Sequence, residues 1–209
     1  KTGGDIDGAV ADFNEALKIA PKFASIWVNL GVALHSKGEV DRGIEALNEA
    51  IRLRPNFAEA FFNRAAAREF KKDYAGALAD CNESLRLNPK MEIALVQRGL
   101  VKHEMRDLDG AWDDYDAALR MNPENAEAFA HRGAVHKDRG NFNGALADYD
   151  TSLRLNARNP EAHMYRGELF LAIGDTPGAK AEMAKAIETS TPDWPFRARV
   201  EGLIARLGS

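Results

Sequence analysis

Residues 58–91 read AEAFFNRAAAREFKKDYAGALADCNESLRLNPKM. Two runs of helical period lie on either side of Lys72-Asp73. Phe61, Arg64, Ala65 and Arg68 fall on one face of the first run, and Ala77, Cys81, Ser84 and Leu85 on one face of the second. Asp73 can cap the second helix, and Pro89 cannot continue it. The stretch therefore predicts a helix, a tight turn, a second helix and a stop.

The same arrangement returns along the chain. Gly31, Ala65, Gly99, Gly133 and Gly167 are spaced 34 residues apart, as are Ala9, Gly43, Ala77, Ala111, Ala145 and Ala179. A third series is Ala16, Ala50, Ser84, Ala118, Ser152 and Ala186. Pro21, Pro55, Pro89 and Pro123 follow in step; Ala157 breaks that column, and Pro160 comes three residues later. Turn pairs recur at Gly38-Glu39, Gly140-Asn141 and Gly174-Asp175, where Gly can end one helix in a left-handed conformation and Asp or Asn can begin the next. A fixed period of this length marks a repeat array.

The columns reach a family. Large apolar residues at position 4 (Trp27, Phe61, Leu95, Phe129), small ones at 8, 20 and 27, large ones at 24 (Phe13, Leu47, Tyr115, Tyr149) and Pro at 32 resemble the tetratricopeptide repeat, in a bacterial style. Cys81 and Met183 at position 24, His163 at position 4 and Ala157 in place of Pro are local departures. The resemblance implies an all-α fold, a right-handed α-α superhelical solenoid of 34-residue helix-turn-helix repeats with a C-terminal capping helix. One array is expected over residues 1–209, with 1–23 as the second half of a first unit. Full units follow at 24–57, 58–91, 92–125, 126–159 and 160–193. The capping helix falls in 194–209, where Val200, Leu203, Ile204 and Leu207 form an apolar stripe. The half-unit start leads us to expect sequence upstream of Lys1, or another body covering that end.

One pairing is readable inside the units. Position 7 holds Leu30, Arg64, Arg98, Arg132 and Arg166; position 23 holds Ala46, Asp80, Asp114, Asp148 and Glu182. Arg occurs wherever the acid occurs, and apolar Leu30 meets apolar Ala46. An Arg–carboxylate bridge within each of four units follows, so the arginine column is expected to be structural rather than a ligand ladder.

Composition excludes several classes. The 209 residues carry 28 Lys+Arg against 32 Asp+Glu, without the basic surplus of a nucleic-acid binder. The single Cys81 rules out an internal disulfide framework. No apolar run approaches the ~20 residues that span a bilayer, so no membrane insertion is expected, and no signal peptide is visible. A cytoplasmic location is favoured, with the periplasm as the alternative. His35, His103, His131, His136 and His163 show no metal-ligand spacing, and no P-loop, GxSxG or HExxH motif is present. We expect no catalytic residue, no metal and no cofactor.

What remains is surface. In the family the first helices line a concave groove through positions 2, 5, 6, 9, 12 and 13. Carried onto this chain, the resemblance implies a peptide-binding groove of Val28, Asn29, Glu59, Phe62, Asn63, Val96, Gln97, Leu100, Glu127, His131, Glu161, Met164 and Tyr165. Asn29, Asn63 and Gln97 form an amide column that can grip an extended backbone, similar to the asparagine ladder of O-GlcNAc transferases. The full lining carries seven acids (Glu59, Glu69, Glu104, Glu127, Asp138, Glu161, Glu168) and one base, Lys137. That charge favours basic ligands and argues against the basic clamp by which some members hold acidic chaperone tails.

The sequence thus reads as a non-enzymatic scaffold for a protein or peptide partner, basic or mixed apolar–basic, held in the groove. Two alternatives stand beside it. One is the recognition or regulatory segment of a larger enzyme or envelope-assembly protein. The other is a self-assembling module, a homodimer through the incomplete N-terminal repeat around Ile6, Val10, Phe13 and Leu17.

Overall fold

The computed structural model describes residues 5–208; residues 1–4 and 209 of the expected array lie outside them. Among the described residues there are twelve α-helices and no strands. They are α1 (Ile6–Ile19), α2 (Ala24–Ser36), α3 (Val40–Leu53), α4 (Ala58–Phe70), α5 (Tyr74–Leu87) and α6 (Glu92–Glu104). The chain continues with α7 (Leu108–Met121), α8 (Ala126–Asp138), α9 (Phe142–Leu155), α10 (Pro160–Ala172), α11 (Thr176–Thr189) and α12 (Arg197–Gly208). They fall into two compact units, Lys1–Arg106 and Asp107–Ser209. In the first, α2 pairs with α3 and α4 with α5; in the second, α8 pairs with α9 and α10 with α11.

The turns inside the pairs follow one rule. Gly38, Gly140 and Gly174 sit at φ of 85°, 75° and 83°, and Lys72 and Arg106 take the same left-handed conformation at 61° and 66°. A side chain at that φ costs about 1 kcal/mol, which the surrounding pair must offset. The next helix is capped by a side-chain oxygen of Asp73, Asp107, Asn141 or Asp175, accepting from the backbone N–H three residues on. Pro160 opens α10 at its first position, where its missing N–H is harmless.

Small residues set the helix spacing. A Cβ placed on Gly133 would lie 2.6 Å from Cε1 of Tyr149, and one on Gly31 would lie 2.7 Å from Cγ of Leu47. Tyr149 and Leu47 are themselves fully buried, so neither can swing away without opening the core. Where the ion pair is missing from the sequence, the core is apolar: Leu30 and Ala46 pack with Val10, Leu17 and Leu34.

The bridges form as expected at Arg64, Arg132 and Arg166. Arg64 donates to both carboxylate oxygens of Asp80 at 2.8 and 2.6 Å, and Arg132 to both of Asp148 at 2.9 and 2.8 Å. Arg166 places two donors on one oxygen of Glu182 at 3.0 and 2.8 Å. The acids are buried, and Arg68 also reaches Asp80 at 2.8 Å. The arginines do more than the sequence suggested. A remaining arm turns to the second helix of the preceding pair, where Arg64 donates to Asn48 at 2.6 Å, Arg98 to Asn82 at 2.9 Å and Arg166 to Asp150 at 2.6 Å. One guanidinium, as at Arg64 and Arg166, therefore holds three helices.

Glu182 has an extra partner. Burial alone would raise its carboxyl, but hydrogen bonds from His163 and Arg166 overcome that and hold it at about 2, below its ordinary 4.5. The His163 ring lies at 2.7 Å from this carboxylate. A depressed pKa contributes stability that is present above the ordinary value and lost as pH falls toward the folded one.

Three outcomes follow. In a double-mutant cycle on Arg132→Ala and Asp148→Ala, each single change costs ~3–5 kcal/mol and the pair shows clear coupling by urea unfolding. Gly133→Ala costs ~1–3 kcal/mol in the same assay through overpacking against Tyr149. Acid unfolding of the wild type between pH 4.5 and about 2 is steeper than that of Glu182→Gln, which has no carboxylate there to protonate.

Candidate binding groove

In the first unit α2 lies against α4 and α4 against α6, which brings the lining positions of three first helices side by side. A cleft of about 410 Å³ opens there. Its walls are Val28, Asn29, Glu59 and Asn63 from the sequence-based set, joined by Val32, Ala33 and Phe13. Phe13 comes from α1, the second helix of the half-unit, and was not among the expected groove residues. Asn29 is exposed; Asn63 spends one amide N–H on the carbonyl of Glu59 at 2.8 Å and keeps its carbonyl oxygen. Gln97, further along the amide column, has a buried Nε2 with no hydrogen-bond partner. Phe62 and Leu100 are half-buried, while Val96 is buried.

Three carboxylates of the expected lining stand without a cation in this unit. Glu59, Glu69 and Glu104 make no ion pair among the described residues. Burial, and then the nearby Glu104, hold the Glu69 carboxyl above its ordinary value. The Tyr74 hydroxyl donates to Glu104 at 3.2 Å. Exposed apolar side chains border the carboxylates: Val32, Phe70 and Ile93, with the Phe70 ring edge-on to His35 at 5.5 Å.

The second unit is built differently. Position 6 is aromatic here, and the rings make a chain: Tyr115 stacks on His131 at 5.8 Å, His131 meets Tyr165 at 5.9 Å, and Tyr165 stacks on Tyr149 at 6.2 Å. Met164 is fully buried, packed in a cluster with Met183, Ala186, Trp194 and Val200. Glu127 is exposed. Glu161 accepts from the Trp194 indole at 3.0 Å, and Glu168 pairs with Lys137 at 2.8 Å and with Arg199. The acids on α10 are thus answered internally, partly by the segment around α12, whose contribution the column reading missed. Among the described residues no three His, Cys, Asp or Glu side chains converge as metal ligands, and no helix is long and apolar enough to cross a membrane.

Comparison with known families places this geometry. The family described as TPR repeat matches residues 2–38, 33–69 and 133–174, more than half of the chain. The chain belongs to the TPR-repeat family. No curated protein sequence matches it. Among solved structures it is similar to TTC0263, a thermophilic TPR protein of Thermus thermophilus, with a TM-score of 0.76 at 23% identity over 87% of this chain and 99% of that one. It is similar to YrrB, described as a TPR protein with an unusual peptide-binding site, with a TM-score of 0.61 at 19% identity over 91% and 97% of the two chains. Pseudomonas aeruginosa pilF gives a TM-score of 0.73 at 18% identity over 96% and 90%. At these identities the likeness speaks for the TPR fold, and with the family it makes this chain a protein-interaction scaffold in general terms.

Proposed function

We propose that this TPR protein is a non-enzymatic scaffold that holds an extended peptide, basic or mixed apolar–basic, along the first helices. The observation that carries the reading is the cleft of the first unit, where the amides of Asn29 and Asn63, apolar walls and the unpaired carboxylate of Glu59 meet. Asn29 and Asn63 hold the peptide backbone, since an amide matches both its donors and its acceptors, while Gln97, with its Nε2 buried, offers its carbonyl oxygen. Val28, Phe62 and Leu100 supply apolar contact, and Glu59, Glu69 and Glu104 select positive charge. In the second unit His131 and Tyr165 offer ring faces, with Glu127 at the rim; Glu161 is already engaged by Trp194. Val96 and Met164, both buried, shape the floor from beneath.

The test uses a displayed library of random peptides selected on the whole protein. Enriched sequences carry Lys or Arg beside apolar residues, and Asn29→Ala/Asn63→Ala loses about tenfold or more in affinity for them. Their binding weakens as pH drops through the raised Glu69 pKa, because protonation removes the charge they seek. Acidic selected sequences, or unchanged affinity in the double variant, overturn the reading.

A further inference from the structure

The second unit holds a cleft of about 480 Å³ that shares no residue with the groove. It lies between the loop before α10 and the C-terminal half of α11, walled by Ala157, Arg158, His163, Lys185, Glu188 and Thr189. The repeat itself supplies the control for this site, because each wall position can be compared with its counterparts 34 residues apart. Ala157 stands where Pro55, Pro89 and Pro123 stand, and His163 where Trp27, Phe61, Leu95 and Phe129 stand. Thr189 replaces Leu53, Leu87, Met121 and Leu155. Lys185 replaces Glu49, Glu83, Ala117 and Thr151, and Glu188 replaces Arg52, Arg86, Arg120 and Arg154. Three bulky apolar or ring positions have become small or polar, and the local charge order is inverted. These departures are scattered in sequence and meet at one place.

The place is also rigid. His163 is buried, and both of its ring nitrogens face acceptors: a carboxylate oxygen of Glu182 at 2.7 Å and the carbonyl of Ala157 at 3.2 Å. The loop bearing Arg158 is fixed on its other side. Its N–H donates to Asn156 Oδ1 at 3.1 Å, while buried Asn159 donates to Ser152 Oγ at 3.3 Å and accepts from the Ala162 N–H at 3.1 Å. The exposed Arg158 side chain makes no ion pair among the described residues, and Lys185 has only a 3.4 Å contact with Glu182, whose charge Arg166 and His163 already answer. Two cations on a preorganised frame therefore face open space.

We propose that this cleft binds a carboxylate group, with Arg158 and Lys185 as its cationic partners. The guanidinium fork matches two coplanar oxygens, and the Lys185 ammonium adds a point charge beside it. Glu188 disfavours a dianion such as phosphate and leaves room beside the carboxylate for a donor group of the ligand. The carboxylate can be that of a small molecule or the terminus of a chain; the chemistry is shared.

Amide and imidazole NMR shifts of the whole protein decide the matter, in titrations at constant ionic strength. The probes are acetate, the free-acid and amide forms of acetyl-diglycine, phosphate and chloride. Acetate and the free acid give saturable shifts at Ala157, Arg158 and Thr189, and the amide form gives none. Affinity falls about tenfold or more in Arg158→Ala/Lys185→Ala, whose side chains are exposed, and rises in Glu188→Gln. Tighter binding of the free acid than of acetate assigns the site to a chain terminus, and equal binding to a small carboxylate. Chloride or phosphate shifting the same amides as strongly, or a double variant binding like the wild type, overturns the site.

Discussion

Two helices can lie as close as α2 and α3 only where neither carries a side chain at the crossing. A Cβ on Gly43 would sit 2.8 Å from the carbonyl of Gly31, so backbone meets backbone there. The other pairs cross at the same two columns with nothing larger than Ala, as at Ala65 and Ala77, Gly133 and Ala145 or Gly167 and Ala179, and the rest of the structure depends on that closeness. It brings position 24 of each second helix into the gap, where Leu47, Cys81, Tyr115, Tyr149 and Met183 are fully buried. It also brings position 7 opposite position 23, at the distance a guanidinium spans. A desolvated acid such as Asp80 would be costly alone, and the arginine in that position is what makes its burial tolerable.

The fold was legible because each column constrains the others. Small residues, turn glycines and caps repeat at one period, and the Leu30–Ala46 exchange showed which helices the ion pair joins. The second reach of the arginines was equally readable and was missed. Asn48, Asn82, Asp116 and Asp150 stand at one position of successive units, an acceptor column that nothing else in the sequence explains. Pairing rules seek opposite charges, and the neutral asparagines hid the pattern.

The groove was less legible, for a geometric reason. Position 5 lies one helical step from the buried stripe, so a family-based lining assignment takes in side chains that turn inward. Val28 packs with Leu47, Ala50 and Ala60, and Met164 with Met183 and Ala186. Charge was harder still. Glu168 looks like free acid in a column of lining residues, but Lys137 stands 31 residues before it and Arg199 31 after, and only the stacked helices bring both to it. Glu59, Glu69 and Glu104 of the first unit have no such partner among the described residues.

The two acceptors of Arg64 and of Arg166 lie 16 residues to either side, one toward each terminus. Such a symmetric grip fixes the phase of the gene as well as of the protein. Loss or gain of a single residue in the turn that follows would displace the buried acid by roughly a third of a helical turn and strand its charge, and in the turn before would displace the outer acceptor, Asn48 or Asp150. Duplication or excision of a whole period leaves both distances intact. Recombination can thus lengthen or shorten this chain in whole periods, wherever the breakpoints fall, while small insertions are confined to its ends.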